Sequence, residues 1–198
     1  CGLYKMIMTE KARCAVIVYF ILLLYYNDIE SLLKLFRWKG FYWLGARIVM
    51  CALKISFNQA EQAISVMREV SAWGREQGYR VWPDEWLTEG ELITPDAQPE
   101  NFCIGTIDGE VACAFILQWA DSDYWPDAPK YEAAYLHKFC VRRKFSGMGM
   151  TKLVTEAIRA ECRKRGVRYI RLDTGLEEKA VRKIYLSAGY KIVDILDY

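Results

Sequence analysis

Asp108-Gly109 stands between two apolar runs, residues 101–107 and 110–119. Such a dipeptide in that setting closes a two-residue hairpin, because both of its positions tolerate positive φ. One antiparallel pair is therefore fixed. Further along, the apolar spacing alternates. Ala133 to Val141 is strand-like, Met150, Leu153, Val154, Ala157 and Ile158 recur at helical spacing up to Gly166, and Val167 to Asp173 is strand-like again. Val181, Ile184, Tyr185 and Ala188 form a last helical stripe before Gly189, and Tyr190 to Ile195 reads as a final strand. The order mixes a hairpin meander with β-α-β units. A chain that carries both builds one mixed sheet covered by helices, an α/β architecture of the α+β type.

Upstream of the hairpin, Ile48 to Ile55 is a buried-strand candidate. Asn58 with Glu61 three residues later has the spacing of a capping box, and Ala60, Ala63, Ile64 and Met67 give the following helix its apolar face. Trp82-Pro83-Asp84-Glu85-Trp86 opens a short second helix, with proline suited to a first turn. The stretch 120–130 is a loop rich in Asp, Pro and aromatic residues.

The 198 residues are 53% hydrophobic and 26% charged, enough to bury a sizeable core. A net charge of +2 argues against a nucleic-acid partner, whose phosphates ask for a clear basic excess. One histidine and seven cysteines without a C-x-x-C pair leave no structural zinc pattern, and metal is not expected. Reduced thiols in a cytoplasm are the default setting. The charge is uneven: residues 1–50 sum to +4 and residues 51–198 to −2. Cys14 to Tyr26 is an uncharged apolar run, short for a membrane span. Ile29, Leu32, Leu33 and Phe36 follow at amphipathic spacing, so membrane contact through residues 14–38 is a secondary alternative. Residues 1–47 are read first as a hydrophobic and basic extension, dispensable or spurious, with a membrane-associating segment and an integral part of the fold as the alternatives, and a chain starting at Met50 is expected to fold.

The chemistry lies where strand 133–141 meets the next helix. The junction Arg142-Arg143-Lys144-Phe145-Ser146-Gly147-Met148-Gly149-Met150 is a turn with two glycines that leads into a helix. Glycines admit a ligand close to the backbone, and a helix start offers unpaired N–H groups with a positive dipole end, which suits a pyrophosphate. The turn lacks the third glycine of a dinucleotide fingerprint and the Gly-Lys-Ser/Thr of a Walker loop.

Tyr135-Leu136-His137-Lys138-Phe139-Cys140-Val141, the 144–149 turn, Arg171-Leu172-Asp173 and Ile184-Tyr185 followed by Gly189-Tyr190 resemble, in order and spacing, the GNAT superfamily of acetyl-CoA-dependent N-acetyltransferases. The family turn Arg/Gln-x-x-Gly-x-Gly/Ala is met with Lys144 in first position, and Glu178, Val181 and Ile184 stand where many members have Asn, Ala and Leu. The resemblance covers residues 48–198, read as an N-acetyltransferase domain. It implies a mostly antiparallel sheet of six or seven strands, flanked by helices, whose fourth and fifth strands splay. It further implies acetyl-CoA as cosubstrate. The main chain of Phe139, Cys140 and Val141 would pair with the pantetheine arm. Lys144, Phe145, Ser146, Gly147, Met148, Gly149 and Met150 would hold the pyrophosphate, and Tyr185 would protonate the departing thiolate.

The partners implied are acetyl-CoA and an amine acceptor, with the acceptor and a homodimer left open. The same fold also serves a non-catalytic acyl-CoA-binding regulatory module, and a membrane-tethered acetyltransferase is a third reading. His137 is read as a structural histidine before a general base, and Cys140 as a small hydrophobe before a nucleophile. Trp82, Trp86, Trp119 and Trp125 either line an acceptor pocket or fill gaps between helices and sheet. Asp121, Asp123 and Asp127 are read as solvated loop charges.

Overall fold

Seven strands form one sheet in a computed structural model that describes residues 2–9 and 53–197. In chain order these are β1 (Gly2–Thr9), β2 (Lys54–Ser56), β3 (Phe102–Ile107), β4 (Glu110–Gln118), β5 (Ala133–Val141), β6 (Tyr169–Gly175) and β7 (Lys191–Asp197). Across the sheet they run β2-β3-β4-β5-β6-β1-β7, all neighbours antiparallel except β5 and β6. The helices are α1 (Ala60–Glu76), α2 (Glu89–Leu92), α3 (Met150–Arg165) and α4 (Lys179–Ser187). The expected mixed sheet is present, and the fourth and fifth strands of the sequence reading are β5 and β6.

Each face of the sheet buries its own apolar cluster. Ala63, Ile64 and Met67 of α1 pack with Ile104, Ala114 and Ile116 on one side. Val154, Ile158 and Cys162 of α3 and Tyr185 of α4 pack with Phe115, Leu117 and Leu136 on the other. The Asp108-Gly109 turn has φ of 50° and 83°, the doubly positive geometry that the dipeptide predicts. Gly166 at φ 69° ends α3 in the left-handed conformation.

Three local expectations are corrected. Asn58 is no helix cap: it adopts φ 57°, and α1 starts after Gln59 without a side-chain cap. Trp82 to Trp86 gives a 3-10 turn over Asp84–Trp86, and the separate short helix α2 is capped by Thr88, whose hydroxyl accepts from Glu91 N at 3.3 Å. The apolar stripe of α4 is buried only at Tyr185, while Val181 and Ile184 are 39% and 50% exposed. A helix of nine residues rests on the sheet through one turn and leaves the rest of its stripe at the surface.

The larger correction concerns the N-terminus. Residues 2–9 are no appendage but a strand, which fills the slot between β6 and β7 and pairs antiparallel with both. Leu3 to Thr9 register against Gly175 to Tyr169, and Met6 and Met8 are buried in the α3/α4 core. The opposite face of β1 presents Lys5, whose ammonium lies 4.7 Å from the Trp125 ring centroid and 3.9 Å from Asp194. The run Cys14 to Tyr26, the amphipathic stripe 29–36 and most of the strand placed at 48–55 lie outside the described residues. Among the described residues no helix is long and apolar enough to cross a membrane.

Without β1, the facing edges of β6 and β7 lose two ladders, each of whose hydrogen bonds contributes about 0.5–1.5 kcal/mol. A chain truncated to start at Met50 should therefore show no cooperative thermal unfolding. In the full chain, Met6→Ala should cost about 2–5 kcal/mol by urea denaturation. A Met50-start chain with wild-type melting behaviour would show that β1 is dispensable.

Candidate functional site

The ladder between β5 and β6 is short. Ala133, Ala134 and Tyr135 register against Tyr169, Ile170 and Arg171, and beyond that point the two strands share no pair. On its other side β5 stays paired with β4 as far as Val141, through a register shift between Ala114 and Ile116. Within this shift lies Lys138, at φ 50°. A bulge of this kind bends a strand and re-aims its side chains. Here it turns the β5 edge that carries Phe139, Cys140 and Val141 away from β6, and that edge leads directly into the glycine turn.

In this turn Arg143 to Phe145 makes a single 3-10 turn, and Gly147 and Gly149 take φ of 79° and 72° before α3 begins at Met150. No atom outside their chain neighbours lies within 4 Å of where a Cβ would stand at either glycine, so their role is conformational and the space above them is open. Lys152 and Leu153 donate back to the Gly149 carbonyl at 3.0 and 3.2 Å. The N–H groups of Met150 and Thr151 belong to the first helical turn, which has no intrahelical acceptors. Phe145 and Met150 are anchored in the core, whereas Ser146, Gly147, Met148 and Gly149 are exposed. Basic side chains surround the turn. Arg142 donates to Glu69 at 2.6 Å, Arg143 donates to the Ser146 hydroxyl at 3.2 Å and lies over the Trp73 ring, and Lys144 is paired with Glu110.

Tyr185 is the one buried residue of α4. Its ring meets Tyr190 edge-on at 5.4 Å, and its phenol feels Asp173 on β6 and Cys140 on β5. Burial, reinforced by Tyr190 and the Asp173 carboxylate, pushes the phenol well above its usual range, so it stays protonated. Burial likewise pushes the Cys140 thiol up to about 12, which makes it a poor nucleophile. Tyr185, Phe145 and Met150 thus share one core cluster, against which Phe139 and Val141 pack.

The tryptophans, Lys138 and Glu178 take different places around these segments. Lys138 points to the α1 side, its ammonium 5.2 Å from the Trp82 ring centroid and 6.0 Å from that of Trp86. Burial lowers its pKa, against the pull of Asp173 and Glu178. Trp119 and Trp125 pack elsewhere, Trp119 stacked with Tyr131 and under Arg165, and Trp125 between Lys5 and Arg171. Glu178 turns its carboxylate back to the Gly175 N–H at 3.3 Å, just ahead of α4.

Asp121 is not a solvated loop charge. It is buried, one carboxylate oxygen accepts from Tyr124 N at 3.0 Å, and the other lies 3.2 Å from His137 Nε2. The opposite ring nitrogen of His137 lies 3.3 Å from Asp173, and the Tyr124 ring stacks on the imidazole. Burial disfavours the imidazolium, yet the two carboxylates outweigh it and raise the pKa of His137 to about 9. The histidine is therefore structural and charged, not a base at neutral pH. Only side-chain contacts between distant segments reveal this.

Two measurements check the site. His137 gains its proton affinity on folding, so its contribution is fully present below pH 6.5 and is lost as pH rises through about 9. The melting temperature should accordingly fall between pH 7 and pH 10, by less in His137→Gln than in wild type. Gly149→Val should cost about 1–2 kcal/mol by urea denaturation, the penalty of a side chain in the left-handed region. An unchanged stability would mean that the turn relaxes without strain.

Residues 67–190 match the family model described as the Acetyltransferase (GNAT) family. A Bacillus subtilis protein described as the uncharacterized N-acetyltransferase YesJ is 25% identical over 144 residues, covering 69% of this chain and 79% of that protein. A GNAT-family acetyltransferase structure from Listeria monocytogenes superposes with a TM-score of 0.57 at 21% identity, over 73% of this chain and 91% of the other. A possible acetyltransferase from Clostridium difficile superposes at 0.51 and 15% identity, over 74% and 95%. Those two likenesses are of fold. The family match, which spans more than half of the sequence, places this chain in the GNAT acetyltransferase family of acyltransferases.

Proposed function

We propose that the chain transfers an acetyl group from acetyl-CoA to a primary amine by direct attack in a ternary complex. The observation that carries this reading is the unpaired β5 edge, which opens beyond Tyr135 and runs straight into the turn at Gly147 and Gly149. The residues fit such a cosubstrate. Main-chain groups of Phe139, Cys140 and Val141 offer a strand edge to an amide-bearing arm, much as an added strand pairs with a sheet. The N–H groups from Gly147 to Met150 and the positive end of α3 suit a pyrophosphate, and Lys144, Phe145 and Ser146 form the start of that cradle.

Acetyl-CoA supplies a thioester, at which the C–N bond to the amine forms as the C–S bond breaks. A β5 main-chain N–H at the bulge stabilises charge on the carbonyl oxygen. Tyr185, held protonated by burial, donates to the departing sulfur. Cys140, kept as a thiol, stays out of the chemistry. The acceptor enters from the face that carries Trp82, Trp86 and Lys138, whose rings and charges select it.

Incubating the full chain with acetyl-CoA and a panel of amines, and following free-thiol release, tests the proposal. Bound acetyl-CoA without thiol release for any amine would replace it with a non-catalytic acyl-CoA-binding module. Tyr185→Phe should lower kcat by about 10²–10⁴-fold and leave acetyl-CoA affinity nearly intact. Full turnover by that variant, with chemistry shown to limit the rate, would remove the tyrosine from the mechanism.

A further inference from the structure

The sheet opens at one register position, and a partly buried charge cluster occupies the next. Tyr135 and Arg171 are the last residues that pair between β5 and β6, and Arg171 donates to the Tyr135 hydroxyl at 3.0 Å. Two residues further along each strand, on the same face, stand His137 and Asp173. Where the main-chain ladder stops, a side-chain ion pair spans the two strands. Asp121 closes the cluster from the loop 119–132, which Asp121 itself shapes by accepting from Tyr124 N. Immediately after His137 comes the left-handed residue Lys138, where β5 turns away.

From this placement we propose that His137 is a positioning residue: its imidazolium clasps Asp173 on β6 to Asp121 on the loop and so fixes how far β5 and β6 separate. The clasp thereby sets the affinity of the gap for acyl-CoA. This rests on the reading that the gap holds acetyl-CoA. The physical argument is the arrangement of charge. Two carboxylates, Asp121 buried and Asp173 partly so, flank one ring, and without a cation between them they repel each other and are driven apart. The contact between His137 Nε2 and Asp121 is at ion-pair distance without the alignment of a hydrogen bond, so charge rather than donor geometry holds it. The groups that face the ring are Asp121 and Tyr124 from the loop and Asp173 from β6, while Lys138 on β5 is turned toward Trp82 and Trp86. Two carboxylates therefore face the ring, and the Lys138 ammonium, although turned to the tryptophans, also draws on Asp173.

His137 is the only histidine, so its ring signal in an NMR titration of the full chain is unambiguous. The expected midpoint lies near 9 in wild type and falls in Asp121→Asn, where one of the two carboxylates is neutralised. Acetyl-CoA carries no free thiol, so its dissociation constant can be followed by calorimetry from pH 7 to pH 10. At pH 7, His137→Gln should bind it roughly tenfold more weakly than wild type, a typical site-to-site coupling. The gap between the two proteins should close as pH rises past 9, because wild type then loses the same charge. Asp121→Asn should begin to lose affinity at a lower pH than wild type, and this keeps the test available if His137→Gln does not fold. A wild-type midpoint near 6.5, or a folded His137→Gln with wild-type affinity throughout, overturns the clasp and leaves the acetyltransferase reading standing. No binding of acetyl-CoA by wild type at any pH overturns both.

Discussion

Beyond Tyr135 the β5 main chain has no strand on its β6 side, and buried backbone groups do not stay unpaired without consequence. The fold leaves this edge open and fixes everything around it. On one flank β5 keeps its β4 ladder through the bulge, so the open strand does not fray. On the other flank β6 is held by β1, which is itself held by β7. The opening is thus framed by paired strands on both flanks, and the glycine turn follows it because β5 leads there without an intervening loop.

Burial then sets the protonation states around the opening. It pushes the thiol of Cys140 and the phenol of Tyr185 upward and the ammonium of Lys138 downward, so all three move toward neutrality. The exception is His137, where two carboxylates reverse the effect of burial. Charge in this part of the molecule is concentrated in the Asp121–His137–Asp173 cluster and, at the surface, in the basic side chains of the turn. The separation suits a site in which apolar walls and a protonated phenol face one part of a ligand while phosphates lie against another.

The N-terminal strand shows how a local pattern can mislead. Leu3 to Met8 is short and apolar, and nothing in it distinguishes a strand from the start of an appendage. Its partners are at the far end of the chain, Leu3 against Gly175 and Tyr4 against Ile195, and long-range pairing of this kind leaves no mark in local spacing. Asp121 misled in a similar way. It sits in a polar loop among other aspartates, and its burial depends on where β5 and β6 carry His137 and Asp173.

What the sequence determined by itself was whatever rests on neighbours in the chain. The hairpin at Asp108-Gly109 follows from two residues that accept positive φ, α3 from its apolar period and Gly166, and the turn before α3 from glycines placed between a strand and a helix. Its order of motifs also carried the family resemblance. Tertiary structure alone decided which strands are adjacent, where the β5–β6 ladder ends, that residues 2–9 complete the sheet, and that His137 stands between two carboxylates. The reason is physical: turns and helices are set by dihedral preferences and contacts a few residues apart, whereas strand order and buried charge are set by which distant segments share one core.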